Sequence, residues 1–340
     1  MNTQAKPLLK LEDVYKEFDV TGGFWEQFRW ENGRPVRKKA IVKAVNGVSF
    51  DIYQGETFSV VGESGCGKST LARTVTGLLQ PECGKIFYDG DRIDDLSYSQ
   101  KTPYKKRMQM VFQDPYASLN PRFTVRKTLE EPLFFHYPQL TREQRLDRIA
   151  EVMEQVGVHP AWAERFPHEF SGGQRQRISI ARALMVDPEF VVADEPVSAL
   201  DVSVQAQILN LFMEAQEKRG LTYMFITHDL SVVAHISTRV AVMYLGSLCE
   251  LSPGGEIFNN PRHPYTKALL SAIPRLGEKK AKHIRLKGEV TSPLHLPSGC
   301  VFHQRCTYAK DICTKEIPQP FNAGDNAVVA CHGVEQGWVE

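Results

Sequence analysis

The stretch Gly62-Glu63-Ser64-Gly65-Cys66-Gly67-Lys68-Ser69 satisfies the pattern G-x-x-x-x-G-K-[ST] at each specified position. Its glycines let successive backbone N–H groups curl around a polyphosphate without a Cβ in the way. Lys68 is placed to reach the β- and γ-phosphates, and the Ser69 hydroxyl to hold Mg²⁺. The flanks agree. Thr57-Phe58-Ser59-Val60-Val61 reads as a buried strand, and Ser69-Thr70-Leu71-Ala72-Arg73 as the first turns of a helix whose N-terminus favours anions. A ligand-free turn would account for the glycines but not for the lysine, the serine and the strand–loop–helix setting together. The loop points to a nucleoside triphosphate and leaves its use open.

Phosphate chemistry also needs a carboxylate for Mg²⁺ and a group that orients the attacking water. Phe190-Val191-Val192-Ala193-Asp194-Glu195 is an apolar strand ending in two acids. Asp194 is expected to hold Mg²⁺ and Glu195 to act as general base; the plainer alternative is a capping or solvent-facing acid pair. His228 follows the strand Tyr223–Thr227. Strand ends of open parallel sheets converge on the ligand crevice, so His228 is expected to reach the γ-phosphate. A lone histidine is more often structural, and it is the Thr-His-Asp context at a strand end that favours function. Gln113, after the strand Met108–Phe112, is a candidate for Mg²⁺ and water contacts, although a glutamine alone says little.

Ser171-Gly172-Gly173-Gln174 opens a helix and forms a second anion-binding turn. One chain does not need two γ-phosphate cradles around one nucleotide. The economical reading is that this turn engages a nucleotide held by another subunit.

The elements that position these groups alternate between strand and helix, which implies an α/β fold with a parallel-sheet core. The opening strand spans Leu8–Phe18 and a second spans Val48–Ile52, with residues 19–39 inserted between them as a hairpin or loop. Strands follow at Gly84–Gly90 and Met108–Phe112. Residues 122–168 are helix-rich, and Thr141 is the expected N-cap of a helix carrying Ile149, Val152, Met153 and Val156 inward. Further helices are expected after Ser171 and near Val204–Lys218. A break at Asn259-Asn260-Pro261-Arg262-His263-Pro264 precedes a short helix at Tyr265–Ala272 and a polar linker. The resulting division is 8–255 (helical piece about 114–172), 256–283 and 284–340.

At 340 residues the chain can bury a large core. Its net charge of +1 gives no field that suggests nucleic acid as a partner. No run approaches the apolar length of a membrane span, and the first residues carry no apolar signal core, so a cytoplasmic location is expected, with any membrane attachment made through partners. Of seven cysteines, Cys66, Cys83 and Cys249 are scattered, while Cys300, Cys306, Cys313 and Cys331 crowd together. A reducing compartment argues against disulfides. Four thiolates in a coreless segment suit Zn²⁺ or an iron–sulfur cluster. The spacing x5, x6, x17 lacks the C-x2-C knuckle usual for structural zinc. Cysteines with no ligand remain a third reading, and His303 and His332 are possible substitute ligands.

The motifs at 62–69, Gln113, Ser171–Gln174, Asp194-Glu195, Ser198-Ala199-Leu200-Asp201 and His228 occur in the order seen in ATP-binding cassette (ABC) transporter ATPases. Residues 8–255 resemble that family's Walker A, Q-loop, signature, Walker B, D-loop and H-loop pattern. The signature begins with Phe170 where leucine is commoner, an apolar exchange. The resemblance implies a P-loop cassette with a RecA-like parallel core, an antiparallel β subdomain, a helical signature subdomain and a small Cys-rich C-terminal extension. It places the adenine-stacking aromatic on Phe18, with Tyr15 as the alternative, and it assigns Asp201 to the nucleotide interface.

Asn259–Thr266 and the cysteine tail resemble the ATPases of dipeptide and oligopeptide importers, and the N-terminal insertion with Asn120-Pro121-Arg122 is most similar to their F-type subunit. That resemblance implies ATP and Mg²⁺ as ligands and a [4Fe–4S] cluster at the four cysteines. It also implies a paralogous ATPase as head-to-tail heterodimer partner, two permease subunits, and an extracytoplasmic binding protein acting indirectly. Such a subunit sits peripherally on the cytoplasmic face of the inner membrane. Related importers carry oligosaccharides such as chitobiose or cellobiose, so the solute stays open between peptide and sugar. A soluble cassette ATPase of DNA repair or translation would carry two cassettes or a long coiled-coil insertion, and neither is present. A regulatory module with little hydrolysis is disfavoured by the intact Glu195 and His228.

Overall fold

Leu9, Leu11 and Val14 of the first strand, Leu9–Asp19, are all buried, and the strand's register shifts between Leu11 and Val14. This strand runs antiparallel to Ile41–Ile52, pairing Leu9 with Ile52 and Leu11 with Phe50, and antiparallel to Cys83–Tyr88, pairing Leu11 with Ile86. Asp91–Arg92 completes a four-stranded antiparallel sheet. The second strand is longer than the expected Val48–Ile52, because residues from Ile41 pair with the far end of the first strand, Phe18 opposite Val42. Lys43 and Asn46-Gly47 interrupt the apolar alternation there and hide the strand from periodicity.

The computed structural model describes residues 6–21, 28–31, 34–37, 39–272, 284–286, 288 and 291–339. Within the expected 19–39 insertion, Phe28–Glu31 and Arg34–Arg37 form an antiparallel pair, and the remainder of that reading lies largely outside the described residues. The polar linker expected at 274–280 also lies outside them.

The chain divides into two packed units. The first comprises Tyr53–Ser59 and Asp95–Asp229. Its sheet holds the start of strand Thr57–Val61, then Thr222–Ile226, Phe190–Asp194 and Met108–Val111, in that order. Strands Phe190–Asp194 and Thr222–Ile226 are buried at every residue, which is why they read as unbroken apolar runs. The pairing is parallel and level: Asp194 lies opposite Ile226, and Ala193 opposite Val111. Between Gln113 and Gly173 lie helices Pro115–Ser118, Val125–His136 and Arg142–Gln155. Thr141 caps the last of these as expected, accepting from the Gln144 N–H while Gln144 accepts in return from the Thr141 N–H.

The second unit comprises Lys6–Ile52, Val60–Asp94 and the chain from Leu230 onward. Strands Arg239–Tyr244 and Ser247–Pro253 form an antiparallel pair that continues the end of Thr57–Val61. Two short C-terminal strands, Val328–Val329 and Phe321–Asn322, extend the edge of this sheet. Its core packs Val61, Val240, Val242 and Val233 against Tyr244, Tyr265 and Phe302. Those three rings sit 4.8 to 5.3 Å apart in tilted and edge-on contacts, geometry that adds to the value of their burial. The break at Asn259–Pro264 is tied down by Glu250. Its carboxylate is almost fully buried and accepts from the N–H groups of Arg262 and His263 and from the Ser252 hydroxyl. His263 then caps the helix Pro264–Ser271, accepting from the Tyr265 N–H.

Candidate functional site

In the second unit, strand Thr57–Val61 delivers the chain into residues 62–67, and helix Lys68–Val75 leaves them. Two glycines are there by necessity. Gly62 has φ +154 and a Cβ would lie 2.1 Å from the Met243 carbonyl oxygen; Gly67 has φ +104 and a Cβ would lie 1.9 Å from that of Ala44. Ser64 and Gly65 form the exposed tip, while Ser69 and Thr70 are half-buried. Lys68 is buried, and its ammonium donates to the Gly62 and Glu63 carbonyls at 2.8 and 3.0 Å. The loop therefore fixes its own lysine through two of its carbonyls. Cys66 faces inward, and burial raises its thiol pKa against the opposing pull of Lys68. Phe18 lies half-buried near the end of the first strand with Lys16 Nζ 5.5 Å from its ring centroid, whereas Tyr15 packs its phenol against Gly47.

In the first unit, the level register of the parallel strands brings three predicted residues to one point. Glu195 follows the strand Phe190–Asp194 with φ +46, a left-handed conformation uncommon for a non-glycine residue. Its N–H donates to the Ile226 carbonyl at 2.9 Å, which locks the turn to the neighbouring strand end. Its Oε2 accepts from Gln113 Nε2 at 2.9 Å and stands 3.3 Å from His228 Nδ1. The Glu195 side chain is 13% exposed and that of His228 is 55% exposed. An amide, a carboxylate and an imidazole thus share one oxygen at the carboxyl edge of the sheet. Asp194, one residue earlier, is almost fully buried. Within this unit Gln113 and Asp194 both carry hard oxygen donors, the kind Mg²⁺ takes.

Ser171 caps helix Gly172–Leu184: its hydroxyl accepts from the Gln174 N–H at 3.4 Å, and Gln174 Oε1 accepts from the Ser171 N–H at 3.0 Å. Gly173 is closely covered, since a Cβ there would lie 2.6 Å from Val204 Cγ1. Asp201 caps the neighbouring helix Val202–Arg219, accepting from the Val204 N–H and the Ser203 hydroxyl, and the Ser203 bond above all holds its carboxyl below the usual range. A positioning residue escaped the sequence reading: Gln205 Nε2 donates to the carbonyls of Val197 and Leu200 and braces the turn that follows Glu195. Its place four residues after the Asp201 cap is the signal that would have found it.

Cys300, Cys306, Cys313 and Cys331 line one small cavity together with His303, His332 and Phe302. No disulfide joins them. Burial, reinforced by neighbouring cysteines, pushes Cys300 up to about 12 and Cys306 up to about 11. His303 Nδ1 lies 2.8 Å from the Cys300 carbonyl oxygen and His332 Nε2 lies 3.0 Å from that of Glu316, so both rings have backbone partners. The four thiols suit a soft metal in type. Among the described residues, however, no group of three or more His, Cys, Asp or Glu side chains is gathered closely enough to hold a metal ion.

Two family descriptions match the chain: ABC transporter over residues 45–198, and oligopeptide/dipeptide transporter, C-terminal region, over residues 249–313. The oligopeptide transport ATP-binding protein AppF of Bacillus subtilis is 52% identical over 96% of this chain and 97% of its own length. The dipeptide transport ATP-binding protein DppF of Escherichia coli is 48% identical over 98% and 96%. Among solved structures, a dimeric post-hydrolysis ATP-binding cassette bound to ADP and Pi superposes with a TM-score of 0.62 at 29% identity, covering 72% of this chain and 98% of that one. The mixed α/β fold is therefore that of the ABC cassette, and with this identity sustained from end to end the chain belongs to the ABC transporter ATP-binding proteins of the oligopeptide and dipeptide branch.

Proposed function

We propose that the chain is the ATP-hydrolysing subunit of an importer that takes up di- and oligopeptides across the inner membrane from its cytoplasmic face. The observation that carries the enzymatic part is the meeting of Gln113 and His228 on Oε2 of Glu195. Phosphoryl transfer to water needs little covalent help from the protein and much positioning. Glu195 accepts the proton of the attacking water, Gln113 orients that water, and His228 stabilises charge developing on the γ-phosphate. Lys68 and the N–H groups of residues 62–69 hold the phosphates, and Phe18 stacks on the adenine. Ser69, Gln113 and Asp194 would hold Mg²⁺, which would supply positive charge to offset that of the phosphates.

Ser171–Gln174 and Asp201 complete the nucleotide site of a paralogous ATPase in a head-to-tail pair, which docks on two permease subunits fed by a binding protein. Among the described residues no helix is long and apolar enough to cross a membrane, which suits a peripheral subunit. The cassette occupies 8–255, with 256–283 joining it to the C-terminal segment 284–340. A [4Fe–4S] cluster on the four thiols, with Zn²⁺ as the alternative, rests on the number and type of the cysteines that share the cavity, and the thiols would have to draw closer together to ligate it. Iron and acid-labile sulfide in anaerobically purified protein decide that point, and zinc without iron removes the cluster.

The names of the relatives favour peptide over chitobiose or cellobiose. In proteoliposomes carrying the assembled transporter, a dipeptide-loaded binding protein should stimulate ATP hydrolysis and a chitobiose-loaded one should not. Stimulation by the sugar alone would overturn the peptide assignment.

A further inference from the structure

Glu63 is held on three sides. Its N–H donates to the Tyr265 hydroxyl at 3.0 Å, its Oε2 accepts from Arg305 Nη1 at 2.7 Å, and its carbonyl accepts from Lys68 Nζ at 3.0 Å. Two of these contacts come from the chain beyond residue 260, and the third from the lysine of the phosphate loop. The ion pair is sheltered, with the Arg305 side chain 9% and the Glu63 side chain 23% exposed. Although burial works against its charge, the Glu63 carboxylate holds Arg305 above the ordinary guanidinium range. A sheltered guanidinium–carboxylate pair is directional, and removing one partner leaves the other charge uncompensated.

The far ends of these contacts are themselves fixed. The Arg305 N–H donates to the Phe302 carbonyl at 3.0 Å, and the Cys306 N–H to the same carbonyl at 3.1 Å. Phe302 packs on Tyr265 and Tyr244 with centroids 5.3 Å away in each case. Arg305 and Tyr265 therefore belong to one packed cluster, and Cys300 and Cys306 bracket the turn that carries Arg305.

We infer that Arg305 and Tyr265 are positioning residues for the phosphate loop: by holding Glu63 they set the curl that presents Lys68, so the C-terminal segment takes part in setting the affinity for ATP. The inference rests on reading residues 62–69 as the ATP site. Neither residue touches the reacting atoms, so binding should suffer more than the chemical step.

The test is MgATP binding by the full chain, followed by titration with a fluorescent ATP analogue, together with hydrolysis by the assembled transporter. Arg305→Ala should weaken binding about tenfold and Arg305→Lys should recover most of that loss, while kcat stays within about twofold and KM rises. Tyr265→Phe should weaken binding about threefold, and Glu63→Gln should add little to Arg305→Ala because both break one pair. Should Arg305→Ala not fold, Arg305→Lys and Glu63→Gln carry the same comparison. Lowered thermal stability with unchanged ATP affinity, or fully additive losses, would overturn the inference. Lys68→Ala separates the two claims. If it abolishes binding while the Arg305 variants bind normally, only the positioning role falls; if it binds ATP normally, the phosphate-loop reading falls and takes the inference with it.

Discussion

Gln113 and His228 approach the same atom of Glu195, one at 2.9 Å and the other at 3.3 Å, from loops that follow two different strands. The register of those strands is what makes this possible: with Val111 opposite Ala193 and Ile226 opposite Asp194, the residues just past each strand end come level. Replacing Glu195 by glutamine keeps a hydrogen-bonding side chain of the same shape and removes the base. ATP binding should persist while hydrolysis falls by at least about 100-fold, within the range usual for loss of a general base. Phosphate release and nucleotide retention measured on the same preparation check this. An unchanged hydrolysis rate would remove Glu195 from the assignment.

Gly67 is the most tightly constrained point of the phosphate loop. Alanine there must adopt φ near +104 and place its Cβ against the Ala44 carbonyl. The loop cannot keep its shape, and the expected cost is about 3 kcal/mol or more, combining backbone strain with a steric clash. Urea unfolding should register that cost, and MgATP binding should be lost even where the variant is folded. Gly65→Ala is the control, because a Cβ there meets no atom within 4 Å, although its φ of +78 still carries some strain.

The legible part of this molecule is the part whose chemistry is local. The phosphate loop, the acid pair after an apolar strand and the Thr141 cap each depend on residues a few positions apart, and each appears where the spacing puts it. The pairing of Ile41–Val45 with Lys16–Asp19 was hidden, because it depends on a partner strand and not on alternation within its own. The bonds from Tyr265 and Arg305 to Glu63 span 202 and 242 residues, and no local pattern announces a contact at that range. The same holds for the cysteines: their crowding was visible, but the shared cavity required the fold.

Ser171 caps a helix, and substitution can separate that role from the partner contact proposed for it. Alanine removes the cap on helix Gly172–Leu184 and should cost about 1 kcal/mol of stability. Aspartate keeps a capping acceptor but adds a negative charge at the turn proposed to meet a partner's γ-phosphate. Ser171→Asp should therefore unfold near the wild-type urea midpoint and yet fail to form an ATP-dependent dimer with the paralogous ATPase. Sedimentation velocity with and without ATP reads the second effect. A Ser171→Asp protein that still dimerises on ATP would move the partner contact elsewhere.

His263 makes stability depend on pH. Burial, with a smaller push from Lys267, depresses its pKa from 6.5 to about 3, and its Nδ1 must stay unprotonated to accept from the Tyr265 N–H. Between pH 6.5 and about 3 the unfolded chain binds a proton that the folded chain refuses. The unfolded state then holds more protons, so stability falls as pH falls, by about 1.4 kcal/mol per unit for this one group. Above about 6.5 the residue contributes no slope. Asparagine at 263 keeps a capping oxygen and does not titrate, so His263→Asn should flatten the decline of the unfolding free energy from urea titrations between about pH 6 and about pH 4 relative to wild type, by that amount per unit. Parallel curves for the two proteins would mean that the imidazole reaches solvent and takes up its proton in the folded state. The Tyr265 helix start, and with it the hydroxyl that receives the Glu63 N–H, would then loosen in acid, and ATP affinity would fall over the same interval.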